Sequence, residues 1–181
     1  RDFCLSRGLG DVYKRQIIQW VGPFFTLEEL KEWEIENIDC KSNLYMFTGK
    51  EYRHRTVSDY VGITEQEYVY KRLNNNHGKF NKISKDLNIW VGHFSCSDHA
   101  TRENISIVET LLISSWQPNL NERKKIYYPY SSICVINQWY KPNCCQYSNR
   151  IYSAQDMQDV IIYNRDTEEV WGADRLKKLP Y

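Results

Sequence analysis

The sequence predicts an α+β fold: a small central antiparallel three-stranded sheet flanked by helices, followed by a β-rich C-terminal extension. Three observations predict it. The capping pattern Thr-x-x-Glu precedes a helix-like run at Thr26 and again at Thr64. Short runs rich in β-branched and aromatic residues recur near 44, 57 and 88. Past Lys125 the chain turns tyrosine-rich and strand-like, with no helical period.

The elements follow in order. Ser6 to Gln16 reads like a translated transposase sequencing adapter, so residues 1–16 are expected to be non-native, with the native start at or before Ile17 or lost. Residues 17–42 are read as an N-terminal helix and its lead-in. The apolar run Ile17 to Phe25 holds Gly22 and Pro23 and falls far short of the ~20 residues a spanning helix needs, so no membrane partner is expected. Thr26 caps a helix over about 27–36, with Leu27, Leu30 and Trp33 on its apolar face. Leu44 to Thr48 and Val57 to Val61 form a hairpin whose tip is the polar stretch Gly49 to Arg55.

Thr64 opens a second helix carrying Tyr68, Val69, Arg72 and Leu73, which the polar cluster Asn74 to Gly78 ends. Its acidic first turn and later Lys71-Arg72 suit the helix dipole. Asn88 to Phe94 reads as a third strand and Cys96 to Arg102 as a loop. From Asn104, the series Ile105, Val108, Leu111, Leu112, Ser115 gives a third helix stopped by Pro118. These elements make one domain over 43–125. Residues 126–181 form the β-rich extension, with runs at Ile133 to Tyr140, Val160 to Tyr163 and Glu169 to Trp171.

Charge excludes uniform adhesion to nucleic acid. Without residues 1–16, Lys+Arg falls from 24 to 20 and Asp+Glu from 23 to 21, moving the net charge from +1 to −1. Any DNA contact must then come from local patches. The candidates are Lys71, Arg72, Lys79, Lys82 and Lys85, the run Arg123-Lys124-Lys125, and a later group of Arg175, Lys177 and Lys178. With Cys4 set aside, five cysteines remain, Cys40, Cys96, Cys134, Cys144 and Cys145. An odd count without a framework fits a reducing compartment, and a cytoplasmic location is expected. His93, Cys96 and His99 have H-x2-C-x2-H spacing that Cys144-Cys145 could complete as a zinc sphere, but the C-x2-C knuckle is missing and a strand histidine beside a loop is the preferred reading.

Glu109 carries the clearest chemical signal. Its helix neighbours at i−4 and i+3 are Ile105 and Leu112, so a carboxylate sits on or beside an apolar stripe, which is costly unless it is paired. A bound divalent cation would account for it; the alternative is a boundary glutamate reaching solvent or a nearby arginine. Mg²⁺ is often held by one carboxylate, waters and substrate phosphates.

The set Leu44-Tyr45, Tyr60-Val61-Gly62, Arg72, Glu109 and Pro118 with Asn121 resembles the site of the GIY-YIG endonucleases, over residues 43–125. The most specific part is Glu109 to Asn121, in which the glutamate precedes a proline by nine residues and an asparagine follows that proline by three. The resemblance implies a divalent-metal-dependent endonuclease hydrolysing DNA phosphodiester bonds. One of Tyr45 and Tyr60 would act as base or water-orienting group while the other positions the phosphate. Arg72 would fork phosphate oxygens, His77 would carry protons, Glu109 would hold Mg²⁺ or Mn²⁺, and Asn121 would hold a neighbouring side chain or the phosphate. The departures are Asn43-Leu44-Tyr45 in place of Gly-Ile-Tyr, a longer gap to Tyr60, His77 one place late, and Ile63 where many members have lysine.

Two rivals remain in the sequence. One is a catalytically silent nucleic-acid-binding module of the same kind; the other is a protein-interaction domain using the tyrosine-rich C-terminal sheet. A partner chain or a homodimer would supply target reading if the extension does not.

Overall fold

Backbone pairing draws strands from every part of the described chain into one sheet. The computed structural model describes residues 14–39, 43–64, 68–74, 77–147 and 157–173. Its strands are β1 (Lys14–Phe24), β2 (Leu44–Glu51), β3 (Val57–Ile63), β4 (Ile83–Phe94), β5 (Ile133–Tyr140), β6 (Val160–Asn164) and β7 (Glu169–Ala173). The helices are α1 (Leu27–Glu36), α2 (Val69–Asn74) and α3 (Arg102–Trp116), with 3-10 turns at Phe80–Lys82 and Ser97–His99. The strand order is β3-β2-β4-β1-β5-β6-β7. All neighbours are antiparallel except β1 and β5, which run parallel.

This architecture corrects the expected fold. The antiparallel trio β3-β2-β4 does form, but as one end of a seven-stranded mixed sheet curled into a half-barrel, not as a small sheet flanked by helices. The expectation failed at β1. Ile17 to Phe24 lacks the alternation of a half-exposed strand because Ile18 and Trp20 are buried on one face and Val21 and Phe24 on the other. Strands covered on both faces read as continuous apolar runs. A register shift between Val21 and Phe24 accommodates Gly22-Pro23 within the strand. Strand β1 starts at Lys14 and so takes in the last three residues of the adapter-like segment; residues 1–13 lie outside the described residues.

The other elements form where their local chemistry places them. Thr26 Oγ1 accepts from Glu29 N at 3.1 Å, and Glu29 Oε2 accepts from Phe25 N at 2.8 Å, which ties down the start of α1. Thr101 does the same for α3 through Asn104 N. Helix α3 ends at Gln117, whose left-handed φ of 59° turns the chain into Pro118. Residues 65–67 of the second Thr-x-x-Glu pattern lie outside the described residues; α2 begins at Val69.

Strand alternation splits the core in two. Leu44, Met46, Val61 and Trp90 face α3, together with Ile18, Trp20, Val135, Trp139 and Ile161. Tyr45, Phe47, Ile89 and Val91 face α1 and α2 on the opposite side. In the first layer Trp20 stacks on Trp139 at 6.0 Å and Trp90 meets Trp139 edge-on at 5.5 Å. The buried indoles of Trp20 and Trp139 donate to Asn137 Oδ1 and Asp159 Oδ1, each at 2.9 Å. Burying an indole without such a partner would forfeit part of what its area contributes.

Trp20 therefore joins the two halves of the sheet. Trp20→Ala should cost about 3–5 kcal/mol in urea denaturation, the range for a fully buried large aromatic residue. A change within the roughly ±0.5 kcal/mol of ordinary surface substitutions would mean that β1 is not central.

Candidate active site at the sheet edge

Strand β3 ends the sheet, so its outward peptide groups need partners from elsewhere. The chain leaving α3 supplies them. Val61 N donates to Asn121 Oδ1 at 3.0 Å, and Asn121 Nδ2 donates to Val61 O at 2.8 Å. Asn119 Oδ1 accepts from Asp59 N at 2.9 Å, Asn119 Nδ2 donates to Val57 O at 3.0 Å, and Leu120 N donates to Asp59 O at 3.0 Å. Two side-chain amides thus act as strand residues. They dock the exit of α3 beside Tyr60.

On the face opposite α3, Tyr45 and Tyr60 lie against each other with centroids 6.1 Å apart, and Phe47 and His77 complete the aromatic cluster. Gly62 makes this possible. It pairs with Tyr45 across the hairpin, and a Cβ there would lie 2.6 Å from the Tyr45 ring carbon Cζ and hydroxyl. His77 Nδ1 accepts from Phe80 N at 3.1 Å. The neutral ring therefore carries its proton on Nε2, which donates to Tyr45 Oη at 3.2 Å. With that oxygen already an acceptor, the Tyr45 proton points toward Tyr60, a hydrogen bond that raises Tyr45 and lowers Tyr60.

The two phenols differ in consequence. Burial pushes the Tyr45 pKa far up, beyond what the Arg72 guanidinium can offset, so Tyr45 stays protonated. Tyr60 is also raised, by burial first and by the Glu109 carboxylate second, while Tyr45, Arg72 and Lys79 pull it down. Burial lowers the His77 pKa, with the Arg72 charge next, which keeps the ring neutral.

Glu109 reaches this cluster from α3, around the edge of the sheet. It is buried, and Lys124 Nζ donates to its Oε2 at 2.6 Å. Lys124 holds a left-handed φ of 67°, a conformation unusual outside glycine that persists where contacts fix it. The adjoining Lys125 carbonyl accepts from Gln117 Nε2 at 2.7 Å. Tyr60, Arg72, His77, Glu109 and Asn121 line one cavity of about 740 Å³, joined by Lys79, Lys82, Arg123 and Lys124. Lys79 pairs with Glu122 and Lys124 with Glu109. Arg72, Lys82 and Arg123 have no carboxylate partner among the described residues, so the cavity is positive in a nearly neutral chain.

Of the residues picked from sequence, Tyr45 sits behind the cavity wall, and Asn121 spends its amide on the backbone next to Tyr60. Lys71 lies outside the cavity with its ammonium over the Tyr68 ring at 5.3 Å, and Lys125 is not in the lining. His93 Nε2 is engaged by Gln19 Oε1 at 3.0 Å, and no group of three or more His, Cys, Asp or Glu able to hold a metal occurs among the described residues. Cys40, Arg175, Lys177 and Lys178 lie outside the described residues.

Sequence reasoning missed Glu34. Its carboxylate accepts from Val69 N and Tyr70 N, each at 2.9 Å, and so anchors the first turn of α2, the helix that carries Arg72. Burial raises its pKa despite these two bonds. The signal was present: Glu34 follows Leu30 by four and Leu27 by seven, a carboxylate on an apolar stripe like Glu109.

No family model, curated protein or solved structure matches the chain. Gly62→Ala tests the packing. The added methyl should displace Tyr45, lower stability by roughly 1–3 kcal/mol in chemical denaturation, and shift the His77 imidazole signals in NMR. Unchanged stability with an unchanged His77 spectrum would refute the arrangement.

Proposed function

We propose that the chain is a divalent-metal-dependent endonuclease that hydrolyses DNA phosphodiester bonds in the edge cavity. The supporting observation is that Tyr60, Arg72 and Glu109, carried by three separate elements, converge there beneath a positive rim. The resemblance to GIY-YIG endonucleases over Glu109 to Asn121 points the same way, for the site and not for the whole fold.

Hydrolysis needs a base for water, positive charge on the phosphoryl oxygens and relief of charge on the leaving oxygen. Arg72 forks the non-bridging oxygens. Tyr60 would orient the attacking water, because it lines the cavity whereas Tyr45 is sealed behind it, and it could take that water's proton only as the phenolate, a form that the Arg72 charge and a cation at Glu109 would favour. Tyr45 and His77 hold Tyr60 in place through their ordered hydrogen bonds. Asn121 fixes the strand that carries it. Lys79, Lys82 and Arg123 grip the flanking phosphates.

A buried carboxylate with one oxygen taken by the Lys124 ammonium, facing a cavity large enough for water and phosphate, fits Mg²⁺ or Mn²⁺ at Glu109. Bound there, the ion would polarise the phosphoryl oxygen and stabilise developing charge. Cancelling the Glu109 charge would also remove one of the causes that raise the Tyr60 pKa. Free thiols at Cys96, Cys134, Cys144 and Cys145 suit the cytoplasm, and no helix among the described residues is long and apolar enough to cross a membrane.

One observation favours a second reading. Lys124 already neutralises Glu109, as it would in a module that binds nucleic acid without cutting it. Nicking of supercoiled plasmid decides between them. The parent should nick in Mg²⁺ or Mn²⁺ and Glu109→Gln should lose about 10²-fold or more of the rate. No nicking by the parent, with salt-dependent DNA binding intact, would establish the second reading.

A further inference from the structure

The chain leaving the cavity carries an exposed aromatic run. After Arg123-Lys124-Lys125 come Ile126 (81% exposed), Tyr127 (64%), Tyr128 (49%), Pro129 and Tyr130 (55%). The segment is held firmly. Lys125 O is bound by Gln117, Tyr128 stacks on Tyr163 of β6 at 5.3 Å and 10°, and Tyr130 bonds through its hydroxyl to Glu103 and through its carbonyl to Arg165. It therefore runs back along α3, from the C-terminal end of that helix to its first turn.

An anchored backbone that keeps three large side chains largely in water is unlike a scatter of single apolar residues, and a contiguous patch of this kind marks a binding surface. Its chemistry is specific. A basic entrance followed by open aromatic faces is the arrangement that holds single-stranded nucleic acid, in which cations follow the backbone and unpaired bases stack on the rings. A duplex has its base faces stacked internally and offers none to these rings. The run also begins at Arg123 and Lys124, which line the cavity, so a strand on it leads directly to Arg72 and Glu109.

We infer that the segment 123–130 is a track for an unpaired strand, and that the preferred substrate carries single-stranded nucleic acid beside the scissile phosphate. The position of that phosphate rests on the nuclease reading; the track itself does not.

The test is fluorescence anisotropy with the full chain in EDTA, using a labelled single strand, a blunt duplex and a duplex with a single-stranded flap. The single strand and the flap should bind at least ten-fold tighter than the blunt duplex. Tyr127→Ala should weaken them at least five-fold, leave the blunt duplex unchanged, and be rescued by Tyr127→Phe. Because Tyr127 is exposed, the melting temperature should not move, which separates lost stacking from misfolding. Equal affinity for single strand and duplex, or no effect of Tyr127→Ala, overturns the inference. So does a Tyr127-dependent self-association of the chain without nucleic-acid binding, which would assign the run to a protein contact. Tyr127-dependent binding without nicking in Mg²⁺ would sustain the track and remove the nuclease reading; nicking of blunt duplex indifferent to Tyr127 would do the reverse.

Discussion

The unpaired edge of β3 is the constraint on which the candidate site depends. Peptide groups there would be left without partners unless another segment supplied them, and each one buried that way would cost on the order of 1–3 kcal/mol. Asn119 and Asn121 meet that demand with side-chain amides, so the exit of α3 is stitched to the hairpin. The helix that packs on one face of the sheet then delivers Glu109 to tyrosines that belong to the other face. No strand crosses between these layers; the site forms by going around the rim.

The same rim couples stability to chemistry. Tyr45, His77 and the Phe80 amide form an ordered chain of hydrogen bonds in a mostly apolar setting, where an unmade bond is expensive and a satisfied one is rigid. Gly62 leaves the space that this chain needs, and Glu34 steadies the short helix that carries Arg72. Neither Gly62 nor Glu34 lines the cavity, yet each determines where a group lining it sits. The ammonium of Lys124 adds the opposite tendency, because it holds the Glu109 carboxylate that a cation would need.

Local signals were legible where the chemistry is local. The cap at Thr26, the period of α3 and the strand-like run from Ile133 to Tyr140 all appear in the structure at or within two residues of where the sequence puts them. What was not legible is what tertiary burial decides. Strand β1 shows no alternation because both its faces are covered, and the sheet's true width depends on its parallel pairing with β5 more than a hundred residues away. For the site, the family resemblance nominated Tyr45 and Tyr60 as equals, while only the packing separates a sealed phenol from one that lines the cavity. Asn121 looked like a polar group for substrate or side chain, because a sequence cannot show that a strand edge lies beside it. Glu34 was legible by the argument applied to Glu109, but it sat in the N-terminal helix, outside the domain read over 43–125.

The proposed site depends on electrostatic contact between Glu109 and Tyr60 across the sheet edge. Fluorotyrosine at position 60 lowers the intrinsic pKa enough for its titration to be followed by NMR while the fold is intact. The Glu109 anion disfavours the phenolate and so raises the Tyr60 pKa; Glu109→Gln removes that charge, and the midpoint for Tyr60 should move down. A midpoint that stays in place in the folded variant would show that the helix does not bring its carboxylate to the tyrosine, and the proposed site would be lost with it.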